Sequence, residues 1–413
     1  MRFPVLRLPL LTRAAFFLIL ISTTVSAQEM SFQSVIDGLD STSSVLVQAS
    51  RQLNEARAQY TASRAVPNPA VFAEGQTLSD HGFTERENTV GIQQSIGFLW
   101  SQTPMVEARR FVYESELTAY ESIRRDVIAE IIRNLSLLHD LRQMEVLLDT
   151  VQQTAEYAMA ATTARRQQGD VSDYDAQRME AELVQLQNRK FALLQEQNQI
   201  AQRLTELSGY SAEVLDNLSV PIIPDPPFVD ENEAMRYAQA HSPKLRQSEI
   251  TTQAMRKALL AAKRNQLPDL VLGIARKTAD PEFSGWLWQA GIEIPVWGQR
   301  RSERNLARAQ WKNAEYQQHT QARITEQETL AAMQQWRLLK NIPIASKSAT
   351  FDNSQLNLHR GIRLYLAGEF GSLELVDALR SVLDAMQANL ELHAALLTAN
   401  LEVRKVTGLA IWE

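Results

Sequence analysis

Long stretches of this chain carry apolar residues at helical spacing, and four short stretches carry them at every second position. Leu141, Met144, Leu148, Val151, Ala155 and Ala158 step by 3, 4, 3, 4 and 3 residues, the seam of a coiled coil. Leu379, Leu383, Met386, Leu390, Ala394, Leu397 and Leu401 supply a second seam. Residues 31–64 hold no proline and one glycine, Gly38, and are expected to form one helix. Residues 103–166 hold one proline, Pro104, and no glycine. About 60 helical residues extend roughly 90 Å, a length that fits a coiled coil rather than a globular core. Gly169 ends this helix; Ser172 with Asp175 resembles a capping box that starts the next, which runs to about Ser208 before Gly209. The order then returns: a helix from Arg301 to about Ala367 with a kink at Pro343, a break at Gly368, and a helix from Ser372 to about Thr407. Each copy predicts a long antiparallel helical hairpin with a tight tip.

The alternating stretches predict strands. In Trp286–Trp297 the even positions are Trp286, Trp288, Ala290, Ile292, Ile294 and Val296, all apolar, against a mixed odd set that includes Gln289, Gly291 and Glu293. In Asn88–Leu99, Val90, Ile92, Ile96 and Phe98 share a face on which Gln94 is the exception. Leu270, Leu272 and Ile274 alternate with Val271, Gly273 and Ala275. Ala70–Leu78 is the poorest, because Phe72 falls with Glu74 and Gln76. Segments of about 10 alternating residues with Trp at an end are the pattern of outer-membrane barrel strands. They come as two hairpins, with turns in Ser79–Glu87 and Thr278–Gly285. Four strands cannot close a barrel, whose smallest form has about eight, and open edges are not viable in lipid. Strands that span a membrane here must be completed by further copies.

The two halves are copies of one unit. GIQQSIGF at 91–98 returns as GIEIPVWG at 291–298, PNPAVFAEG at 67–75 as LPDLVLGIA at 267–275, and Gly169-Asp170 as Gly368-Glu369, 199 positions on. The expected division is a leader at 1–27, a first repeat at 28–220 and a second at 221–413. The second opens on Pro221-Ile222-Ile223-Pro224-Asp225-Pro226-Pro227, whose four prolines in seven residues make a stiff, extended strap.

The leader has three arginines, an apolar core at Ala14–Ile21 and small residues up to Ala27, the layout of a secretory signal peptide. Its apolar core is too short for a hydrocarbon layer of roughly 30 Å. Removing it takes Arg2, Arg7 and Arg13 and moves the net charge from −6 to −9. No basic patch points to nucleic acid. The absence of cysteine excludes a disulfide framework, a thiol nucleophile, zinc–thiolate sites and lipid attachment through cysteine. His81, His139, His241, His319, His359 and His393 show no metal-ligand spacing, and no phosphate loop or catalytic triad occurs, so neither an enzyme nor a cofactor is expected.

This order of elements resembles the TolC-like family of outer-membrane efflux ducts over essentially the whole mature chain. The residues that carry the resemblance are Asn68-Pro69, the Gly291–Pro295 end of the fourth strand, and the tips GDVSDYDAQRMEAEL at 169–183 and GEFGSLELVDALRS at 368–381. GIEIPVWGQRR, with Leu267-Pro268-Asp269 before it, is similar to the CzcC-type branch that serves heavy-metal efflux pumps. Two places depart from that branch: Phe98-Leu99-Trp100-Ser101 replaces a glycine- and basic-rich turn, and the first copy lacks a counterpart of Pro243. The resemblance implies a mainly α protein with membrane β structure, a homotrimer with a 12-stranded barrel in outer-membrane lipid and an α-helical tunnel across the periplasm of a Gram-negative cell. It implies a passive duct whose partners are a periplasmic adapter and an inner-membrane efflux pump, with metal cations among the conceivable cargo.

The tips then become the candidate site. Asp170, Asp173 and Asp175 crowd the first, Glu369, Glu374 and Asp377 the second, with Arg165, Arg166, Arg360 and Arg363 just before them. Carboxylate rings favour cations, and Arg–carboxylate pairs between helices hold a constriction closed; the same placement also complements helix dipoles. Gly169, Val171, Ser172, Gly368, Phe370 and Ser372 are the expected adapter contacts, with Val171 and Phe370 as exposed apolar groups. Trp286 and Trp288 are read as a bilayer-interface girdle rather than core. The rival readings are a periplasmic coiled-coil adapter, which normally has one hairpin and a compact β domain, and a structural protein of an export system.

Overall fold

The computed structural model describes residues 31–80, 83–216, 218–279, 283–294, 298–342, 356, 358–365 and 367–412. The leader, Pro343 and the centres of both strand turns lie outside the described residues. In order the elements are α1 (Phe32–Thr42), α2 (Ser44–Ser63), β1 (Ala70–Asp80), β2 (Phe83–Ser95), α3 (Phe98–Gln168), α4 (Asp173–Ser208), α5 (Ala212–Asp216), α6 (Glu231–His241), α7 (Pro243–Arg264), β3 (Asp269–Ala279), β4 (Phe283–Glu293), α8 (Gln299–Lys340), α9 (358–365) and α10 (Ser372–Thr407). The repeat is carried by the elements themselves. Phe32–Thr42 recurs as Glu231–His241, Ala70–Asp80 as Asp269–Ala279 and Asp173–Ser208 as Ser372–Thr407, each 199 positions on.

The predicted seam forms: Leu141, Met144, Leu148, Val151, Ala155 and Ala158 are all buried in one core that α1, α3, α4, α9 and α10 share. With 71 residues, α3 is longer than its pattern indicated and extends roughly 105 Å.

Three expectations are corrected. Residues 31–64 are two helices, because Ser43 leaves helical geometry at ψ 121°. The cause lies across the fold. Gly209, at φ 75°, presses against the last carbonyl of α1, and Thr42 donates its hydroxyl to the Ser208 carbonyl at 2.6 Å. The second copy breaks at the same place, where Ser242 precedes Pro243 at the start of α7. The missing proline in the first copy therefore leaves the break intact. Second, β2 stops at Ser95 rather than Leu99, and Phe98 begins α3. The Ser95 hydroxyl donates to both Asp269 carboxylate oxygens at 2.8 Å, and a side chain on Gly97 would collide with that carboxylate. Third, β4 runs from Phe283 to Glu293, not from Trp286 to Trp297. Pro295, Val296 and Trp297 lie outside the described residues.

Both hairpins join in one antiparallel sheet in the order β1-β2-β3-β4. Each strand continues into one helix of a layer with the same order: α2 packs on α3, α3 on α7 and α7 on α8. The sheet and the helix layer thus end on the same two sides, at β1 with α2 and at β4 with α8. The proline-rich strap crosses the C-terminal end of α10. There the Pro224 carbonyl accepts from Asn400 at 2.9 Å and from the buried Arg404 at 2.8 Å, while Lys340 reaches Asp225 at 2.8 Å.

Candidate functional site

Register decides what the sheet can do. Val71, Ile92, Ile274 and Trp288 are cross-strand partners in one row. Ala73, Val90, Arg276 and Trp286 make the next row, and Leu270 faces Ile292. The apolar sets of four separate strands therefore lie on one face. Trp286 and Trp288 are exposed there, at 65% and 77%, so within this chain they pack in no core. The opposite face carries Glu74, Gln93, Lys277, Gln289 and Glu293. Phe72 stands on this polar face because it covers Gly91, where a side chain would meet its ring and the Ala275 methyl. Strands of 11 residues, tilted as in membrane barrels, rise roughly 28 Å, enough for an apolar band of about 25 Å. Among the described residues no helix is long and apolar enough to cross a membrane.

At the other end of the molecule both helical tips close in the same way. The Gly169 N–H returns to the Arg166 carbonyl at 3.1 Å and the Asp170 N–H to that of Arg165 at 3.0 Å. Gly368 and Glu369 repeat this with Tyr365 and Leu364, at 3.1 and 2.9 Å. The left-handed φ of 84° and 80° at the two glycines makes these turns possible. Ser172 caps α4 as its pairing with Asp175 suggested: its hydroxyl accepts from the Asp175 N–H at 3.2 Å and donates to the Asp175 carboxylate at 2.6 Å.

The predicted charges meet only in part. Arg166 pairs with Asp173 at 3.1 Å. Asp170, Glu369, Glu374, Asp377, Arg360 and Arg363 are exposed around the tips, and a cleft of about 580 Å³ opens between the two turns, lined by Arg165, Asp170, Asp175, Glu369 and Glu374 among others. Val171 and Phe370 are half-buried rather than exposed, and Phe370 packs on the main core. The apolar groups that do face outward are Tyr174, 69% exposed, and its counterpart 199 positions on, Leu373, 42% exposed. They are the second residues of α4 and α10. The side chain of Ser372 lies outside what is described.

Sequence reasoning missed the contacts that join the tips. Buried Thr162 and Tyr365 share a short hydroxyl–hydroxyl hydrogen bond, and the Arg165 guanidinium lies over the Tyr365 ring, 5.5 Å from its centre. Further in, Arg380 on α10 clamps the buried Glu182 of α4, with bonds of 3.2, 3.0 and 2.5 Å, and Arg189 reaches Asp384 at 3.5 Å. The one signal available was a pair of opposite charges about two turns inside each tip.

Aligned apolar faces on a sheet with two open edges, continued by hairpins with closed tips, define a protomer of a β-barrel channel with a coiled-coil extension. Residues 234–409 match the outer membrane efflux protein family. Over 378 residues the chain is 24% identical to the cation efflux system protein CusC of Escherichia coli K12, covering 84% of this chain and 79% of CusC. The fold overlays on the Campylobacter jejuni CmeC outer membrane channel with a TM-score of 0.76 at 15% identity, over 94% of this chain and 86% of that one. A membrane protein from Pseudomonas aeruginosa overlays with a TM-score of 0.75 at 18% identity, over 92% and 90%. Residues 234–409 thus carry the outer membrane efflux protein pattern, and the chain as a whole has the fold of the outer membrane channels that it overlays.

Proposed function

We propose that three copies of this chain close a 12-stranded barrel in the outer membrane and a helical tunnel below it, forming the passive exit duct of a tripartite efflux assembly. Residues 28–220 and 221–413 each contribute one strand pair and one hairpin. The observation that carries this reading is the shared pair of open edges, since β1 and α2 on one side must meet β4 and α8 of another copy. One hairpin and a compact β domain, the adapter layout, do not fit a sheet that both repeats build together.

Cargo enters from an inner-membrane pump through a periplasmic adapter that docks on the tips. Tyr174 and Leu373 supply the apolar contact, beside Gly169, Val171, Ser172, Gly368, Phe370 and Ser372. Cations, metal ions among them, are the favoured cargo. Two observations support this: the carboxylates Glu74, Glu85, Glu87 and Glu293 outnumber Lys277 on the polar face of the sheet, and the relative CusC is a cation efflux protein. The Thr162–Tyr365–Arg165 contact latches the two hairpins, and Asp170, Asp173, Asp175, Glu369, Glu374 and Asp377 with Arg165, Arg166, Arg360 and Arg363 form the charged constriction.

Membrane fractionation with cross-linking tests the duct: recovery of a soluble periplasmic monomer would sink it. Planar-bilayer recordings test the latch. Tyr365→Phe is expected to raise conductance, and alanine at the six tip carboxylates is expected to weaken cation selectivity. Unchanged selectivity would leave these carboxylates as helix caps only.

A further inference from the structure

Among the described residues, the apolar face of the sheet carries its only charges near the strand turns, and both are positive. Cross-strand register puts Arg276 beside Val90 and Trp286 on that face, and Arg86 stands on it four residues from Val90 along β2. Both arginines are exposed. The Arg276 guanidinium lies over the Trp286 ring, 5.6 Å from its centre, and Nη2 donates to the Ser284 hydroxyl at 2.8 Å. Among the described residues neither arginine is paired with a carboxylate. The strand carboxylates Glu74, Glu85, Glu87, Asp269 and Glu293 all fall on the opposite register, where Lys277 meets Glu87 at 2.8 Å. The sheet therefore sorts its charges, with acids on the polar face and arginines on the apolar one.

An arginine facing lipid is costly at the bilayer midplane and nearly free of cost at the interface. Position agrees with the second case. The strand turns lie at the end of the sheet away from the helices, so in a barrel with a periplasmic tunnel they face the cell exterior, at the headgroups of the outer leaflet. A guanidinium stacked on an indole keeps its N–H edge accessible, and the N–H groups beyond the one given to Ser284 can donate to the oxygens of a phosphate. The hydroxyls of Ser284 and Thr278 and the Asn88 amide share the face.

We propose that Arg276, held on Trp286, together with Arg86 forms a docking site for the phosphate groups of a phosphorylated outer-leaflet glycolipid. The site rests on the reading of the strands as an outer-membrane barrel. It anchors the barrel in depth and occupies the lipid-facing wall, separate from the conducting path.

Native mass spectrometry of the detergent-purified full-length channel tests it, with bisphosphorylated lipid A and the same lipid stripped of its phosphates as probes. The expected result is about tenfold tighter retention of the phosphorylated lipid, about 1.4 kcal/mol, reduced to no preference in an Arg86→Gln/Arg276→Gln variant. Equal retention of the two lipids by the unaltered channel, or an undiminished preference in the variant, overturns the site. Competition by millimolar inorganic phosphate without any preference between the lipids would assign it to soluble anions and equally overturn the lipid proposal. Oligomer mass and membrane fractionation are read in parallel. A channel that never enters the membrane fraction refutes the barrel itself, whereas a membrane-inserted oligomer without lipid preference refutes only the site.

Discussion

Gly169 and Gly408 share a left-handed backbone, φ 84° and 88°, in different surroundings. At Gly169 a side chain would find nothing within 4 Å, whereas at Gly408 it would sit 2.2 Å from the His241 carbonyl oxygen. Alanine at 169 meets only the left-handed penalty, about 1–2 kcal/mol. Alanine at 408 adds a collision with backbone that has no rotamer to yield, so α6 must move. Thermal unfolding followed by circular dichroism is expected to show a small loss for Gly169→Ala and a much larger one for Gly408→Ala; the reverse order would contradict the docking of α6 on the end of α10. The sequence marks Gly169 as a helix end and stops the last helix at about Thr407, beside Gly408. What differs between the two glycines is not marked, because it depends on a residue 167 positions away from Gly408. Tyr174 and Leu373 show the same limit. Val171 and Phe370 are equally apolar and equally near the tips, and only the path of the turn decides which pair faces out.

At the scale of elements, the hairpins are held to each other by sparse polar contacts along otherwise apolar seams. His393 of α10 meets the buried Asp140 of α3 at 2.8 Å, and this hydrogen bond holds the imidazole above its ordinary pKa despite the opposing effect of burial. A folded-state pKa above the unfolded value means stability that is fully present below about pH 6.5 and is lost as pH rises through the raised value. The α3–α10 seam is therefore expected to loosen between mildly acidic and mildly alkaline pH. Thermal midpoints at about pH 5.5 and 8.5 should differ more for the unaltered protein than for His393→Gln. An identical pH slope in the two would remove the pair from any role in stability. The sequence shows His393 among seam residues but gives no means of pairing it with a group 253 positions away.

For the whole molecule the decisive property is incompleteness. A four-stranded sheet with exposed Val71 at one edge strand and Trp288 at the other has no stable place in lipid as a single chain. The chain has no cysteine, so introduced pairs report without background. Cysteines placed one on β1 and one on β4, scanned along both strands, are expected to cross-link into covalent trimers at matching registers. A scan that yields only dimers, or no oligomer, would rule out closure by three copies. The strap illustrates what each kind of reading contributes at this scale: the sequence predicts a stiff, extended segment, but its attachment to Arg404, Asn400 and Lys340 requires the folded chain.

Periodicity is a local property set by backbone geometry, so the sequence by itself determined which segments are helix and which are strand, the breaks at Gly169, Gly209 and Gly368, and the repeat that makes both halves one design. The resemblance of the tips carried the family. Tertiary structure alone decided how those pieces face one another: the register that brings four apolar strand faces to one side, the split at Ser43, the Asp269 corner that ends β2, the Thr162–Tyr365 latch and the Arg380–Glu182 clamp. The last four join residues that are well over a hundred positions apart in the chain, and the register does so where β2 meets β3. A period of two or of 3.6 says which side of an element is apolar, but not which other element will cover it.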